Sequence, residues 1–135
     1  MGKQQRIKGH TFERQIASDL RVILGEAKRG FQFRDKDAAP DVDCPIFHIE
    51  AKAHRLAPLR AALKQAIRTC KSNKIPIAIC KDDYREPIVL LRYSDFKEIA
   101  KKLYDYEKIE EPSGVRTPPI SQELGTALGS CPVSC

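Results

Sequence analysis

The segment that most constrains the fold is a nearly continuous apolar run at residues 75–80, with the sequence IPIAIC. Such a run is typical of a β-strand buried on both faces, because a strand with one solvated face alternates apolar and polar side chains. Pro76 must then lie where its missing backbone N–H does no harm. A strand covered on both faces needs elements packed above and below it, so we expect a sheet with helices against it.

Two segments outside this strand have apolar residues at helical spacing. The first covers residues 11–24, and Gly25 is the expected stop. The second follows Pro58 and covers residues 59–70. Each of these helices has one apolar face, which is suited to packing on a sheet.

A third helix is expected to begin at Ser94, which is a good N-cap, with Asp95 in its first turn. Its inner face is predicted to hold the apolar residues Phe96, Ile99, Ala100 and Leu103. From residue 110 onward the sequence contains many Pro, Gly and Ser residues and loses its apolar periodicity. We therefore predict one folded domain at residues 1–109 and a flexible C-terminal tail at residues 110–135.

Alternating and apolar patterns predict further strands at residues 31–34, 46–52 and 87–93. In the strand at 46–52, a period of two places Ile46, His48, Glu50 and Lys52 on one face and Phe47, Ile49 and Ala51 on the other. The predicted order is α-β-β-α-β-β-α. This order indicates an α/β fold with a mixed central β-sheet flanked by helices.

Charge is unevenly distributed along the chain. The 135 residues carry a formal net charge of +6, and residues 1–109 hold 23 of the 24 Lys and Arg but 15 of the 18 Asp and Glu. The resulting charge of +8 on the domain attracts phosphate groups and gives sequence-independent affinity for nucleic acid. An ordinary basic protein has the same composition, so charge alone leaves both interpretations open.

No stretch approaches the roughly 20 apolar residues of a membrane span, and the first residues lack the apolar core of a signal segment. We therefore expect no membrane partner and a cytoplasmic location, in a prokaryotic cell or a phage-infected host. Cys44, Cys70 and Cys80 lie in or beside apolar segments, where reduced cysteines act as small apolar residues. Cys131 and Cys135 have no second Cys or His pair nearby, so no zinc site is expected there.

Residues 39–52, with the sequence APDVDCPIFHIEAK, bring two carboxylates and an amine close together in the chain. Asp41 lies at a turn or strand start, and Glu50 and Lys52 share one strand face. Carboxylate oxygens suit a hard cation such as Mg²⁺, and the carbonyl of Ala51 is the natural third protein ligand. Lys52 would orient or deprotonate a water, or stabilise the oxyanion. The set therefore predicts metal-dependent hydrolysis of a phosphodiester.

Glu13 is a third acid that can join this set. It lies one residue, or roughly 100°, from Phe12 on the first helix and therefore flanks the buried stripe. A Pro-Asp turn and an exposed Glu-x-Lys pattern also recur by chance in charged proteins. The catalytic interpretation is favoured because Glu50 ends an apolar strand, between a helix that carries Glu13 and a helix that carries Gln65.

This combination resembles the PD-(D/E)xK nuclease superfamily and, within it, the archaeal-type and phage Holliday junction resolvases. The resemblance covers most of residues 6–104: KGHTFER at 8–14, PDV at 40–42, FHIEAK at 47–52, the Gln65 helix and the strand at 76–80. It implies a restriction-endonuclease-like fold in an Mg²⁺-dependent homodimer, with Mn²⁺ as a substitute. Such enzymes resolve four-way DNA junctions by paired, symmetric incisions in DNA recombination and repair.

The resemblance also implies roles for individual residues. It marks Glu13, Asp41, Glu50, Lys52 and Gln65 as catalytic, and Asp41, Glu50, Ala51 and Glu13 as metal ligands. Arg34 looks like the basic residue on the strand before the Pro-Asp turn, and Gln65 looks like the auxiliary glutamine of some branches of the superfamily. The tail at residues 110–135 matches nothing in the pattern of the family.

Basic residues around the acids are candidate contacts to DNA phosphates. The principal ones are Arg14, Arg34, Lys8, His54, Arg55 and Arg68, with Lys3, Arg6, Arg60 and Lys64 as further candidates. Each would otherwise be a solvated charge, and a salt bridge is equally plausible for Arg14. His48 shares the face of Glu50 and Lys52, but a strand histidine satisfied by internal hydrogen bonds is favoured over a contact to substrate.

Two other functions stay open on the sequence. The same fold and acids would serve a restriction, replication or repair nuclease that cuts duplex or flap DNA. Alternatively, the chain is a non-catalytic basic nucleic-acid-binding protein whose acids form surface ion pairs. A pure binder gains nothing from carboxylates placed where phosphates must approach, which favours the enzyme.

Overall fold

The computed structural model describes residues 2–30 and 39–109. In chain order its elements are helix α1 (Lys3–Leu24), strands β1 (Lys28–Arg29), β2 (Val42–Asp43) and β3 (Phe47–His54), helix α2 (Leu59–Thr69), strands β4 (Ile75–Asp82) and β5 (Ile88–Leu90), and helix α3 (Tyr93–Ile109). The predicted α/β class is confirmed. The order differs from the prediction because three strands lie between α1 and α2, while the strand predicted at 31–34 lies outside the described residues.

The five strands form one mixed sheet in the order β1-β2-β3-β4-β5. Strands β3 and β4 are parallel, with Phe47 opposite Ile75 and His54 opposite Asp82, and the other neighbours are antiparallel. A parallel pair needs a crossover, which α2 supplies. The carboxyl ends of β3 and β4 consequently meet at the same edge of the sheet.

The sheet has apolar residues on both faces. One cluster joins α1 to the sheet through Phe12, Ile16, Val42, Ile49 and Ile77, among others. A smaller cluster on the α2 side contains Ala57, Ala62, Ala78 and Cys80. The prediction that residues 75–80 form a strand covered on both faces is therefore confirmed. Pro76 lies opposite His48 and precedes the part of β4 that pairs with β5.

Helix α1 begins at Lys3, earlier than the predicted residue 11. The prediction missed the first turns because they are polar and carry no apolar period. Its predicted end is confirmed: Gly25 has a φ of 75°, and its N–H donates to the Arg21 carbonyl at 2.9 Å. Gly30, after β1, is required for another reason. A Cβ there would lie 1.9 Å from the carbonyl oxygen of Pro40, so any side chain would separate these two segments.

Helix α3 differs from its prediction in two respects. It begins at Tyr93, so Ser94 lies inside the helix instead of capping it, while Asp95 does lie in the first turn and accepts from Arg92 at 2.7 Å. The predicted inner face is wrong: Ile99 is half-buried and Ala100 exposed, while the larger side chains Phe96 and Leu103 are 52% and 56% exposed. An amphipathic pattern indicates that a helix has a face able to be covered, but it does not determine whether that face is buried.

The chain divides into two compact units, Met1–Phe96 and Lys97–Cys135. In the second unit the structure describes only the α3 residues 97–109. The predicted tail at 110–135, with Cys131 and Cys135, lies outside the described residues, and the boundary at residue 109 stays a prediction. None of the helices described at 3–24, 59–69 and 93–109 is long and apolar enough to cross a membrane.

Candidate active site

The β2–β3 pair places the first two acids side by side. Val42 lies opposite Ile49, so one step further along this antiparallel register puts Asp41 beside Glu50. The Asp41 N–H donates to the carbonyl of Ile49 at 2.9 Å, which continues the strand pairing to this point. Side chains at such cross-strand positions have Cβ atoms about 4.5–5.5 Å apart. Register alone therefore brings the two carboxyl groups together.

Asp41 is fixed by hydrogen bonds from two neighbouring segments. Its Oδ2 accepts from the Ala51 N–H at 2.9 Å, and its carbonyl oxygen accepts from the Gly30 N–H at 2.9 Å. The residue is 9% exposed. This carboxyl group is therefore held in one orientation beside β3, which a residue in a mobile turn would not be.

Glu50 and Lys52 form a close pair on one face of β3. Lys52 Nζ lies 2.6 Å from Glu50 Oε1, and the two side chains are 25% and 3% exposed. The predicted alternation is confirmed, because Ile49 and Ala51 belong to the core cluster on the opposite, α1 side. Lys52 thus lies where the buried acids meet solvent, and any substrate that approached the acids would meet it.

Burial and neighbouring negative charge raise the pKa values of both acids. Burial, followed by the charge of Asp41, raises the pKa of Glu50 to about 7, although Lys52 opposes this shift. Burial also raises the pKa of Asp41, with a further contribution from the charge of Glu13. Two carboxylates that share one buried space cannot both ionise easily. A cation placed between them would relieve this cost.

Glu13 lies on α1 close enough to Asp41 for its charge to raise the pKa of that acid. Its Oε2 accepts from Arg29 Nε at 2.5 Å and lies 3.5 Å from His10 Nδ1. Arg29 was not predicted, because a two-residue strand shows no period; the resemblance assigned the basic residue of this strand to Arg34, which lies outside the described residues. Within the described chain, Arg29 on β1 takes the position before the Pro-Asp turn.

The donor set fits a cation that keeps part of its water shell. Residues 2–30 and 39–109 contain no group of three or more His, Cys, Asp or Glu side chains that could hold a metal ion. Two facing carboxylates, Asp41 and Glu50, with the Ala51 peptide between Glu50 and Lys52, nevertheless suit Mg²⁺, which binds through one or two carboxylates plus water and phosphate. They do not suit structural Zn²⁺, which takes four protein ligands.

His48 has a structural contact, as its favoured interpretation predicted. It is 4% exposed, and its Nε2 lies 2.8 Å from Thr69 Oγ on α2. The Thr69 hydroxyl donates to the Gln65 carbonyl at 2.9 Å, which leaves its oxygen to accept from His48. Burial lowers the pKa of His48. This histidine therefore joins β3 to α2 inside the core.

The remaining predicted residues lie around the acids in different ways. Gln65 is half-buried on α2, and its side chain forms no hydrogen bond with the acids in the described part of the chain. Lys8 pairs with Asp83, and the His54 ring lies 3.3 Å from Gln5 Nε2. Exposed basic residues are Arg14, Arg55 and Arg68. The structure thus brings together Asp41, Glu50, Lys52 and Glu13 but does not join Gln65 to them.

Comparison with known proteins finds no relative of this chain: no family model matches it, and neither a characterised protein nor a solved structure does. The resemblance to PD-(D/E)xK nucleases consequently stays a prediction, which a small number of residues carry. Function is therefore inferred from the positions of Asp41, Glu50 and Lys52 and from the basic residues around them.

Proposed function

We propose that this protein is a metal-dependent, structure-selective DNA endonuclease that hydrolyses phosphodiester bonds at four-way junctions. The observation that supports this most is the buried pair Asp41 and Glu50 with Lys52 Nζ 2.6 Å from Glu50 Oε1. Charges buried beside one another oppose folding unless something compensates them. A role in surface ion pairs does not explain why both acids are buried, whereas a role in holding a cation does.

Asp41, Glu50 and the carbonyl of Ala51 would hold Mg²⁺. When bound, Mg²⁺ neutralises charge on the reacting phosphate and makes an attacking water more acidic. Lys52 is placed to orient that water or receive its proton, and its positive charge stabilises the oxyanion that develops. Glu13 supports the site from α1, and Arg29 on β1 donates a hydrogen bond to its carboxylate.

The surrounding charge supports DNA as the substrate. The domain at residues 1–109 carries a formal charge of +8, and exposed basic residues include Arg14, Arg55 and Arg68. Phosphate contacts of this kind position a duplex and make its affinity fall as salt rises. We therefore expect tight binding of DNA at low ionic strength and a steep loss of binding at high ionic strength.

Paired incisions across a four-way junction need two sites related by a two-fold axis, so the proposal includes a homodimer. Strand β5 lies at one edge of the sheet, and its Ile88 and Val89 are 48% and 56% exposed. Phe96 adds a further apolar side chain that is 52% exposed. An apolar edge strand is a surface that a second copy would cover. Val89→Glu should therefore convert a dimer to a monomer in sedimentation velocity.

The decisive test compares cleavage of labelled four-way junction, linear duplex, flap and single strand in Mg²⁺. We expect the wild type to prefer the junction, and Asp41→Asn and Glu50→Gln to bind it in Ca²⁺ without cutting it in Mg²⁺. A preference for linear duplex would contradict the choice of substrate. Salt-sensitive binding without turnover on any DNA would instead indicate a non-catalytic nucleic-acid-binding protein.

A further inference from the structure

The turn after β4 holds Tyr84 in an unusual position. The side chain of Tyr84 is fully exposed, and its φ is 62°. It is the one non-glycine residue with positive φ in the described parts of the chain, at residues 2–30 and 39–109. Side chains rarely adopt this left-handed conformation, because Cβ then crowds the backbone. The fold therefore holds an aromatic ring in solvent at a backbone conformation that glycine would satisfy more easily.

The charged groups around the Tyr84 ring are two acids that have bonding partners and two arginines that form no ion pair among the described residues. A cavity of about 360 Å³ is lined by Arg55, Leu56, Asp82, Asp83, Tyr84 and Arg85. Asp82 Oδ1 accepts from the Ala57 N–H at 2.8 Å, and Asp83 pairs with Lys8. Neither Arg55 nor Arg85 forms an ion pair with any residue that the structure describes. Counting Lys8, three cations and two carboxylates lie at or beside this cavity, so the charge beside Tyr84 is net positive.

The turn lies at the same end of the sheet as the candidate active site. Lys52 is level with Cys80 across the parallel pair, and His54 is level with Asp82. The turn thus begins two residues, or roughly 7 Å, beyond the level of Lys52. The Lys8–Asp83 pair also ties it to α1. DNA whose backbone reaches Lys52 would pass close to Tyr84.

We propose that Tyr84 stacks on an unpaired or unstacked nucleobase of bound DNA while Arg55 and Arg85 contact the phosphates beside it. This rests on the proposed function, because it assigns to Tyr84 the selection of open, branched DNA over continuous duplex. Bases inside a duplex are already stacked on both faces, whereas bases at a branch point or in a single strand have free faces. Aromatic side chains bind such faces without regard to sequence.

A fluorescence experiment tests the stacking directly. The chain contains no tryptophan, so Tyr84→Trp introduces a single indole fluorophore. We expect its emission to be quenched by a four-way junction with unpaired bases at its centre, in Ca²⁺ without turnover, and much less by duplex of equal length. The matched control is Tyr104→Trp, because Tyr104 is an exposed tyrosine on α3. Equal quenching at both positions would overturn the proposal.

Binding by substituted proteins gives the second measurement. Tyr84→Ala should weaken binding of the open junction by about 5- to 150-fold and leave duplex binding unchanged, whereas Tyr84→Phe should bind like the wild type. The unfolding midpoint should not move, since the side chain is exposed. Equal losses for junction and duplex would overturn the proposal.

The two proposals fail separately. Quenching at Tyr84→Trp with no cleavage of any DNA would keep the stacking role and remove the nuclease. Normal junction cleavage by Tyr84→Ala, with unchanged affinity, would keep the nuclease and remove the stacking role. Absence of quenching at Tyr84→Trp by both junction and duplex would overturn the stacking proposal.

Discussion

Two lysine–carboxylate pairs of equal length lie in different surroundings in this molecule. Lys52 and Glu50 on β3 are 2.6 Å apart, with side chains 25% and 3% exposed. Lys101 and Asp105 on α3 are also 2.6 Å apart, but their side chains are 75% and 51% exposed. Water screens the second pair, so it contributes little to stability. The first pair is shielded from water and lies beside a second acid, Asp41. Distance alone therefore does not identify a functional ion pair.

Proton affinity separates the two pairs further. On α3 the hydrogen bond and charge of Asp105 raise the pKa of Lys101, so pairing favours the charged lysine. On β3 burial and Asp41 raise the pKa of Glu50 to about 7, so the surroundings oppose its charge although Lys52 is close. A pair that only stabilised the fold would not be placed where one partner resists ionisation. The β3 pair is explained if a cation completes it.

Replacing each lysine by methionine gives the largest expected difference. In the proposed mechanism Lys52 orients the attacking water or takes its proton, so Lys52→Met should lower single-turnover cleavage of a four-way junction by at least about 100-fold. Junction binding in Ca²⁺ should be retained. Lys101→Met makes the same substitution on α3, and this variant should cut at the rate of the wild type. Equal rates for both variants would remove Lys52 from the chemistry.

Glu50→Gln should alter how the free energy of unfolding depends on pH, and the raised pKa of Glu50 determines the sign of the effect. Between 4.5 and about 7 the folded state binds a proton that the unfolded state has lost, so wild-type stability falls as pH rises through this window. Above it, in EDTA, Glu50→Gln should be more stable by about 1–3 kcal/mol in urea unfolding. Below pH 4.5 the difference in free energy of unfolding between the variant and the wild type should shrink, since Glu50 is then protonated and as neutral as the glutamine. A difference that is constant with pH would contradict the raised pKa.

The smallest effect is expected for the exposed pair. A double-mutant cycle with Lys101→Met and Asp105→Asn should give a coupling free energy close to zero, because solvent screens both side chains. The coupling should fall further as salt is added. The same cycle with Lys52→Met and Glu50→Gln serves as the contrast. Equal coupling free energies in the two cycles would mean that burial does not distinguish the two ion pairs.

The type and burial of long periodic segments were predictable from the sequence, whereas the shortest strands and the burial of α3 were not. The run at residues 75–80 and the helix of Leu59–Thr69 carry strong patterns, so their type and burial were predicted. Strands β1 and β2 have two residues each, too few to show a period. The predicted inner face of α3 was wrong, since Phe96 and Leu103 are 52% and 56% exposed; a pattern of apolar residues does not determine whether a face is buried.

The candidate site was predictable to the extent that strand register determines it. Glu50 and Lys52 share a face by alternation, and a short hairpin returns Asp41 to the same level. The Arg29–Glu13 bond joins a helix to a two-residue strand, and no sequence pattern signals such a tertiary contact. Tyr84 was missed for a similar reason, because its positive φ and its exposure are properties of the folded turn.

The rate of four-way junction cleavage as Mg²⁺ is added back to EDTA-treated protein tests the central claim most directly. Asp43→Asn is the matched control for Asp41→Asn, because Asp43 is also on the β2 segment but pairs with Lys74 at 2.6 Å. Wild type and Asp43→Asn should show a rate that rises and saturates with Mg²⁺, whereas Asp41→Asn should stay at the EDTA level. Cleavage that is independent of Mg²⁺, or equal in Asp41→Asn and the wild type, would contradict a catalytic cation held by Asp41 and Glu50.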